Sequence, residues 1–247
     1  MEWRDEGLIV GVRRHGEHSA IVEALTRAHG RHLGLVRGGR SARMTAALQP
    51  GNTVGLVWRA RLDEHLGAFA IEPLELRAGR LIGSGLALAG LAWLGALIRL
   101  LPERDPHEAV YEALTLIAGN LDDAAIAPPL VARFEAQILA ECGFQLDLSR
   151  CAASGATDNL AYVSPKSGRA VSREAGESWR DRLLPLPAFL REGARLEARP
   201  GVEDIADAFR MTGFFLARDV FAARGEPFPD SRRAFLAAAA KAAARGA

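Results

Sequence analysis

Five short apolar runs within about the first 75 residues constrain the fold of this chain more than any other feature. Polar, Gly-containing segments such as "RRHGEHS" separate the runs, and the apolar residues recur with the two-residue period of β-strands. In "TVGLVWRARL", for example, one face carries Val54, Leu56, Trp58 and Leu62, and the other carries Val57, Arg59 and Arg61. A break, "GGRSARMTAALQPGN", lies between the third and fourth runs. Three strands, a helical or looped break and two more strands are the order of an OB-fold barrel; a five-stranded barrel of another topology is the main alternative.

Two details of these strands can be predicted. In the third run, Leu33 and Leu35 form the apolar side of an alternation against His32 and Gly34. The fifth run, "GAFAIEPLEL", is expected to end at Pro73, because proline has no N–H to donate to a neighbouring strand.

Beyond Arg80 the apolar pattern becomes helical. Residues 81–98 carry no charge over 18 positions, the lower limit for a membrane-spanning helix, but five of them are Gly or Ser, so we expect a buried helix instead. "PPLVARFEAQILAECGF" predicts another helix that ends near Gly143. The predicted fold class is therefore α+β, with an OB-fold five-stranded β-barrel at residues 1–80 and a helical domain at residues 81–247. The polar, Gly-rich stretch 150–181 is predicted to be an irregular insert in that domain.

The composition indicates a cytoplasmic protein. Two cysteines, Cys142 and Cys151, are too few for a disulfide framework. The first ten residues, "MEWRDEGLIV", carry acids where a secretory signal would be basic. We therefore expect no signal peptide and no membrane segment.

The basic residues of the barrel region suggest its ligand. From Ala24 to Leu62 there is no Asp or Glu in 39 residues, although the average composition would place about five acids there. Such a window predicts binding to the phosphates of a nucleic acid; the alternative is that strand arginines keep the barrel soluble and discourage edge pairing. The predicted phosphate contacts are Arg13, Arg14, Arg27, Arg31, Arg37, Arg40, Arg43, Arg59 and Arg61. By contrast, Arg191, Arg195 and Arg199 lie in the net-acidic part of the chain and are expected to contribute little.

Other sequence features narrow the chemistry. The barrel region has only Trp3, Trp58 and Phe69 as large rings, so electrostatics must carry most of the binding, with weak sequence preference and strong salt dependence. No phosphate-binding loop, nucleophile elbow or dinucleotide fingerprint is present, so we expect neither an enzyme nor a cofactor. The His15/His18 and His29/His32 pairs are spaced to point to opposite faces of a strand, which argues against a metal site.

The order of several segments resembles the RecO family of bacterial DNA repair and recombination mediators. These segments are "LVRGGRSARM" after the third strand, "LVARFEAQILAECGFQLDLSRC" in the helical region, and a final "ARGEPFPDSRRAFL". The resemblance implies an OB-fold followed by an all-helical domain that binds single- and double-stranded DNA and anneals complementary strands. It also implies that, with RecR, the protein helps to load RecA onto strands covered by single-stranded DNA-binding protein. In the family the acidic C-terminal tail of that protein docks on the helical domain, and motif position assigns this contact to Arg133 and Phe134.

The sequence departs from the family in one respect. Many members carry two C-x-x-C pairs that hold structural zinc in this insert. Here the first pair reads "CAAS" and the second "SREA", so only Cys151 keeps a thiol while Ser154, Ser172 and Ala175 replace the others. We expect a metal-free loop or small hairpin, "LAYVSPKSGRAVSR", in which Cys151 is a packing residue.

Two other functions fit the same charge pattern. One is an OB-fold RNA-binding or translation-associated factor. The other is a structural adaptor whose basic patch has no ligand.

Overall fold

The computed structural model of the chain describes residues 1–191 and 199–246, so Arg195 lies outside the described residues. The described chain packs as two compact units. The first comprises residues 1–127 together with the C-terminal segment that begins at Pro229, and the second comprises Pro128–Phe228. The predicted boundary near residue 80 stays a prediction.

The first unit contains the predicted barrel. Its strands are β1 (Glu2–His15), β2 (Ser19–Thr26), β3 (Gly30–Val36), β4 (Thr53–Arg59) and β5 (Ala68–Glu75), and the short helix α1 (Ala42–Ala47) lies between β3 and β4. The strands close in the order β1-β2-β3-β5-β4, with β4 paired to the first half of β1. This is the OB-fold order, so the predicted fold class is confirmed.

The barrel core follows the strand alternation with three corrections. Leu56 and Trp58 are buried as predicted. Leu62, expected on the same face, is 47% exposed because β4 ends at Arg59. The expected apolar side of β3 is wrong: His32 and Gly34 face the interior, whereas the side chains of the two leucines are half-buried. The expected end of β5 is wrong too, because the strand continues through Pro73 to Glu75, with an irregular register opposite the start of β4. A proline tolerates such a position because the ladder is already interrupted there.

Four further helices belong to the first unit: α2 (Ala78–Leu81), α3 (Gly85–Ile98), α4 (Glu108–Asn120) and α8 (Asp230–Gly246). Of these, α4 packs against β1 and β2. Ser84 caps α3 by accepting from the Ala87 N–H, and α3 packs against α8 and β1. The uncharged run 81–98 is thus a short connection and a mostly buried helix, as predicted. No helix in the described part of the chain is both long and apolar enough to cross a bilayer.

The second unit consists of helices around a small sheet. Helix α5 (Ala127–Glu141) buries Phe134, Ile138 and Leu139, and α7 (Val202–Phe215) continues into a π-helix at Leu216–Phe221. Between them lies the predicted insert, which forms β6 (Leu160–Val163), β7 (Ala170–Ser172), α6 (Arg173–Gly176) and a 3-10 helix at Glu177–Arg182. Strands β6 and β7 are the expected hairpin, and β8 (Leu184–Pro185) extends the sheet beyond the predicted end of the insert.

Candidate nucleic-acid interface

A basic groove lies at one end of the barrel. The end of β1, the start of β2, the turn after β3 and α1 enclose a volume of about 370 Å³. Arg14 and Arg40 line this groove beside Val12, Thr45 and Gln49, and none of its lining residues is acidic. The structure therefore brings together two predicted phosphate contacts that are 26 positions apart in the sequence.

The turn after β3 is held by its backbone. Gly38 has a φ of +66°, which favours glycine, and a Cβ on Gly39 would approach the Val36 carbonyl oxygen to 3.0 Å. The Arg40 N–H donates to the His18 carbonyl at 3.2 Å, and the Arg40 guanidinium donates to the Glu17 carbonyl at 2.5 Å. Ser41 then caps α1 by accepting from the Met44 N–H. These contacts fix the turn against the β1–β2 hairpin and hold the wall of the groove in place.

Four further predicted phosphate contacts are exposed, and together with Arg14 and Arg40 we call them the open arginines. Arg37 follows β3 directly, Arg43 lies in α1, and both are exposed. Arg13 is also exposed but projects from the opposite face of β1 from Arg14, and Arg61 is exposed in the loop after β4. Within the described residues none of these four guanidinium groups has a carboxylate within ion-pair distance. Their full charge is therefore open to a ligand.

Arg27, in contrast, is neutralised within the protein. Its Nε donates to Glu6 at 2.7 Å, and its Nη1 donates to both Glu108 and Glu112 of α4 at 3.1 Å. The guanidinium also lies over the Tyr111 ring, 5.1 Å from the centroid. The hydrogen bonds to Glu6 and Glu108 raise the pKa of Arg27 above its usual value. Arg27 thus ties the barrel to α4.

Arg31 belongs to a second internal network. Its Nη1 donates to Glu23 at 2.9 Å and lies 3.5 Å from Glu103. Arg99 of α3 donates to the other Glu23 oxygen through Nε and Nη2, at 2.9 and 2.7 Å. The side chains of Arg31 and Glu23 are only 13% and 11% exposed, whereas those of Arg99 and Glu103 are about half exposed, so the Arg31–Glu23 pair is the buried part of this network. Gly11 makes room for it, because a Cβ there would lie 2.7 Å from the Arg99 guanidinium.

Arg59 is paired as well. Its Nε and Nη2 donate to the two oxygens of Glu2 at 2.7 and 3.1 Å, across the β1–β4 pair. This bidentate contact raises the pKa of Arg59 and lowers that of Glu2. Three of the nine predicted phosphate contacts are therefore engaged by acids that lie outside the acid-free window. The sequence alone did not reveal these pairs because the acids lie outside the acid-free window, most of them far along the chain, and meet the arginines only in the folded protein.

The aromatic residues of the barrel form an internal cluster. Trp58 and Phe69 are buried, and Trp3 stacks on His29 at 4.1 Å between ring centroids and on Trp58 at 5.6 Å. His32 packs edge-on against Trp58 inside the barrel, and burial lowers its pKa to about 4. The barrel rings are therefore engaged with one another and offer little surface for stacking bases.

A second groove lies on the second unit, beside α5. It has a volume of about 740 Å³ and is lined by Ala136, Gln137 and Ala140 of α5, by residues 145–149 and by Leu190. Arg133 lies one turn before Ala136 and Gln137 on the same side of α5. Its guanidinium donates to the Phe189 carbonyl at 3.1 and 2.7 Å, and burial lowers its pKa. Phe134 is 1% exposed in the core and Arg133 is half-buried, so of the two predicted partner residues only Arg133 reaches the surface, and neither is among the residues that line the groove.

The insert has no donor set for zinc of the four-thiolate kind. Cys151 is buried, and its Sγ accepts from the Ser154 N–H at 3.5 Å and the Ser172 N–H at 3.2 Å. Burial raises the pKa of the Cys151 thiol, but hydrogen bonds from Ser154 and Ser172 lower it by more, to about 6. No group of three or more His, Cys, Asp or Glu residues in the described ranges is arranged to hold a metal ion. The residues present therefore do not fit the family's zinc site. The one remaining thiol, that of Cys151, accepts hydrogen bonds from the backbone at two of the former ligand positions.

Known proteins match the chain over nearly its whole length. The family model described as "Recombination protein O N terminal" matches residues 1–77, and that described as "Recombination protein O C terminal" matches residues 83–225. The DNA repair protein RecO of Mesorhizobium japonicum is 61% identical over 241 residues, which cover 98% of this chain and 94% of that protein. That of Methylocella silvestris is 62% identical over 237 residues, covering 96% of this chain and 95% of its own. That of Rhodopseudomonas palustris is 57% identical over 249 residues, covering 99% and 98%.

Proposed function

The chain belongs to the RecO family of DNA repair proteins, and we propose that it binds single- and double-stranded DNA through backbone phosphates at the open arginines of its barrel. These are Arg13, Arg14, Arg37, Arg40, Arg43 and Arg61. The observation that carries the proposal is the acid-free groove lined by Arg14 and Arg40. Guanidinium groups suit phosphate oxygens because they donate two parallel hydrogen bonds and stay charged at every physiological pH.

The remaining arginines of the predicted set have a structural role in this proposal. Arg27, Arg31 and Arg59 already donate to carboxylates, so a phosphate would have to displace an existing ion pair. Binding at the open arginines would release counterions without that cost. The protein would therefore bind DNA with weak sequence preference and strong salt dependence.

Strand annealing follows from the same surface. Two complementary strands repel each other, and a basic surface that neutralises phosphates lowers that repulsion without any chemical step. We propose that the protein anneals strands without a nucleotide and, together with RecR, helps to load RecA onto strands covered by single-stranded DNA-binding protein. It would act in the bacterial cytoplasm, on DNA of the nucleoid, as a mediator and not as an enzyme.

The groove beside α5 is the proposed docking site for the C-terminal tail of single-stranded DNA-binding protein. An acidic, apolar tail needs a cation next to apolar surface. Arg133, whose guanidinium donates to the Phe189 carbonyl next to the groove residue Leu190, would provide the cation, and Ala136, Ala140 and Leu190 would provide apolar lining. Phe134 contributes indirectly, by anchoring α5 in the core.

A binding panel tests the DNA proposal. The affinities of the purified protein for single-stranded DNA, duplex DNA and structured RNA are compared at two salt concentrations. We expect binding to both DNA forms that weakens steeply with salt, and faster annealing of complementary oligonucleotides without ATP. A clear preference for structured RNA would favour a translation-associated factor, and no binding to any nucleic acid would favour a structural adaptor.

A further inference from the structure

The structure points to a second contact for nucleic acid, on the insert of the second unit: we propose that Trp179 stacks on an unpaired base of a single strand. This inference rests on the proposed function, because it assumes that the protein binds DNA. It adds a contact of a different kind, made by an aromatic ring to a base and not by a guanidinium to a phosphate.

Trp179 is unusual among the aromatic residues because of its exposure. It is 56% exposed in the 3-10 helix Glu177–Arg182, whereas Trp58 and Trp93 are completely buried. The Arg182 guanidinium lies over the ring, 5.6 Å from its centroid. An indole held against a cation and open to solvent is a suitable platform for a base, since every base has a π-face and stacking needs no pocket.

The helix that carries Trp179 is well anchored. A Cβ on Gly176 would lie 2.5 Å from the Tyr162 ring. The glycine therefore allows Tyr162 of β6 to pack closely against the start of the 3-10 helix. The Tyr162 hydroxyl donates to Glu177 at 3.2 Å, and Ser172 caps α6 immediately before the helix by accepting from the Ala175 N–H. The ring is therefore carried by a folded sheet and not by a loose loop, which reduces the entropy lost on binding.

The charges around the ring favour a polyanion. Residues 150–182 contain six basic and four acidic residues, although residues 81–247 as a whole are net acidic. Arg180 is paired with Glu177 at 3.5 Å and lies 3.8 Å from Asp181. Arg173 and Arg182 are exposed and have no ion pair among the described residues. They can therefore neutralise phosphates beside a stacked base.

A protein partner fits this surface less well. The central residues of protein interfaces are surrounded by other apolar groups that exclude water. The neighbours of Trp179 in its helix are Ser178, Arg180 and Asp181, all of them polar and exposed. A single ring in a charged setting matches a single-stranded nucleic acid, in which bases alternate with phosphates.

The test compares Trp179→Ala and Trp179→Phe in the full chain, with single-stranded oligothymidine and a duplex of random sequence as probes. We expect Trp179→Ala to bind the single strand about tenfold more weakly, as for the loss of one stacked base, and Trp179→Phe to bind within about threefold of the parent. Duplex affinity should not change, because paired bases are not available for stacking. The dependence of single-strand affinity on salt should also stay the same, since the ring neutralises no phosphate. Phe144→Ala, which removes another exposed ring of the same unit, is the matched control and should leave both affinities unchanged.

Fluorescence gives an independent readout. Oligothymidine should quench the tryptophan emission of the parent, and most of this quenching should disappear in Trp179→Phe. Equal single-strand affinity for the parent and Trp179→Ala would overturn the inference, as would an equal loss for single strands and duplex. If the parent binds neither DNA form, the proposed function fails together with this inference. If replacing Arg37, Arg40 and Arg43 of the barrel with Ala weakens binding while Trp179→Ala does not, only the stacking contact is wrong.

Discussion

Arg31 donates to Glu23 between two adjacent strands of the barrel, with 2.9 Å from Nη1 to Oε1. Arg31 lies inside the stretch without acids, and Glu23 is the residue that immediately precedes that stretch. The same carboxylate accepts two hydrogen bonds from Arg99 in α3. One acid therefore holds two arginines and joins the barrel to the helices of its unit.

Replacing that acid should destabilise the protein without affecting DNA binding. Glu23→Gln leaves two guanidinium groups against a largely buried neutral side chain, and we expect a loss of about 3 kcal/mol in the free energy of unfolding, measured by urea denaturation. Glu2→Gln, at the more exposed pair with Arg59, is the control and should leave stability nearly unchanged. Equal stability of the two variants would show that the Glu23 network is not important for folding.

Alanine substitutions at two glycines with the same φ distinguish the cost of backbone strain from the cost of a steric clash. Gly30 and Gly38 both have a φ of +66°, but a Cβ on Gly30 would meet the main chain of Asp105 at 2.0 Å, whereas a Cβ on Gly38 would meet nothing within 4 Å. Gly38→Ala should cost about 1 kcal/mol, because only the backbone conformation is unfavourable. Gly30→Ala should cost several times as much or prevent folding, because main-chain atoms must move. Thermal unfolding measures both, and similar melting temperatures would contradict this difference.

The buried imidazole in the barrel predicts a pH dependence of stability. His32 has a folded pKa of about 4, below the usual histidine pKa of 6.5, because burial disfavours the charged ring. Between these values the unfolded chain binds more protons than the folded protein, so stability falls as the pH is lowered from about 6.5 to about 4. His32→Phe should reduce this loss, which is measured by denaturation at pH 7 and pH 5. His18→Phe, in the exposed β1–β2 turn, should keep the parent's pH dependence, and an unchanged pH dependence in His32→Phe would exclude His32 as its source.

Arg133 should affect peptide binding and not DNA binding. Arg133→Glu reverses the charge next to the groove beside α5, so an acidic, apolar peptide with the sequence of the single-stranded DNA-binding protein tail should bind at least tenfold more weakly. Arg133→Gln, which keeps a donor for the Phe189 carbonyl, should show an intermediate effect and separates charge from local packing. Fluorescence anisotropy measures the peptide, and oligonucleotide affinity is the internal control. Equal peptide binding by the parent and Arg133→Glu would reject this docking site.

The barrel could be predicted because each of its strands is a local pattern, and the break after the third strand matches α1. The interior side of β3 could not, because bulky leucines suggested the wrong side. A small barrel needs Gly34 where a Cβ would lie 2.4 Å from the Phe69 ring, and only the closed fold reveals that contact. The basic groove could be predicted from the sequence only in part. The sequence shows the arginines themselves. Which of them remain unpaired depends on acids of β1, β2 and α4 that lie beside them only in the folded protein.

Salt dependence is the most direct test of whether the open arginines of the barrel bind phosphates. Each phosphate contact should contribute about 0.7 to the slope of log affinity for single strands against log salt, so replacing Arg37, Arg40 and Arg43 with Ala should flatten the slope by roughly 2. The same loss of three charges at Arg199, Arg210 and Arg233, which lie outside the barrel, should leave the slope almost unchanged. We expect weaker binding to all sequences by the first variant alone, with a native-like circular dichroism spectrum. A folded first variant with the slope of the parent would contradict it, because the DNA would then bind elsewhere on the protein.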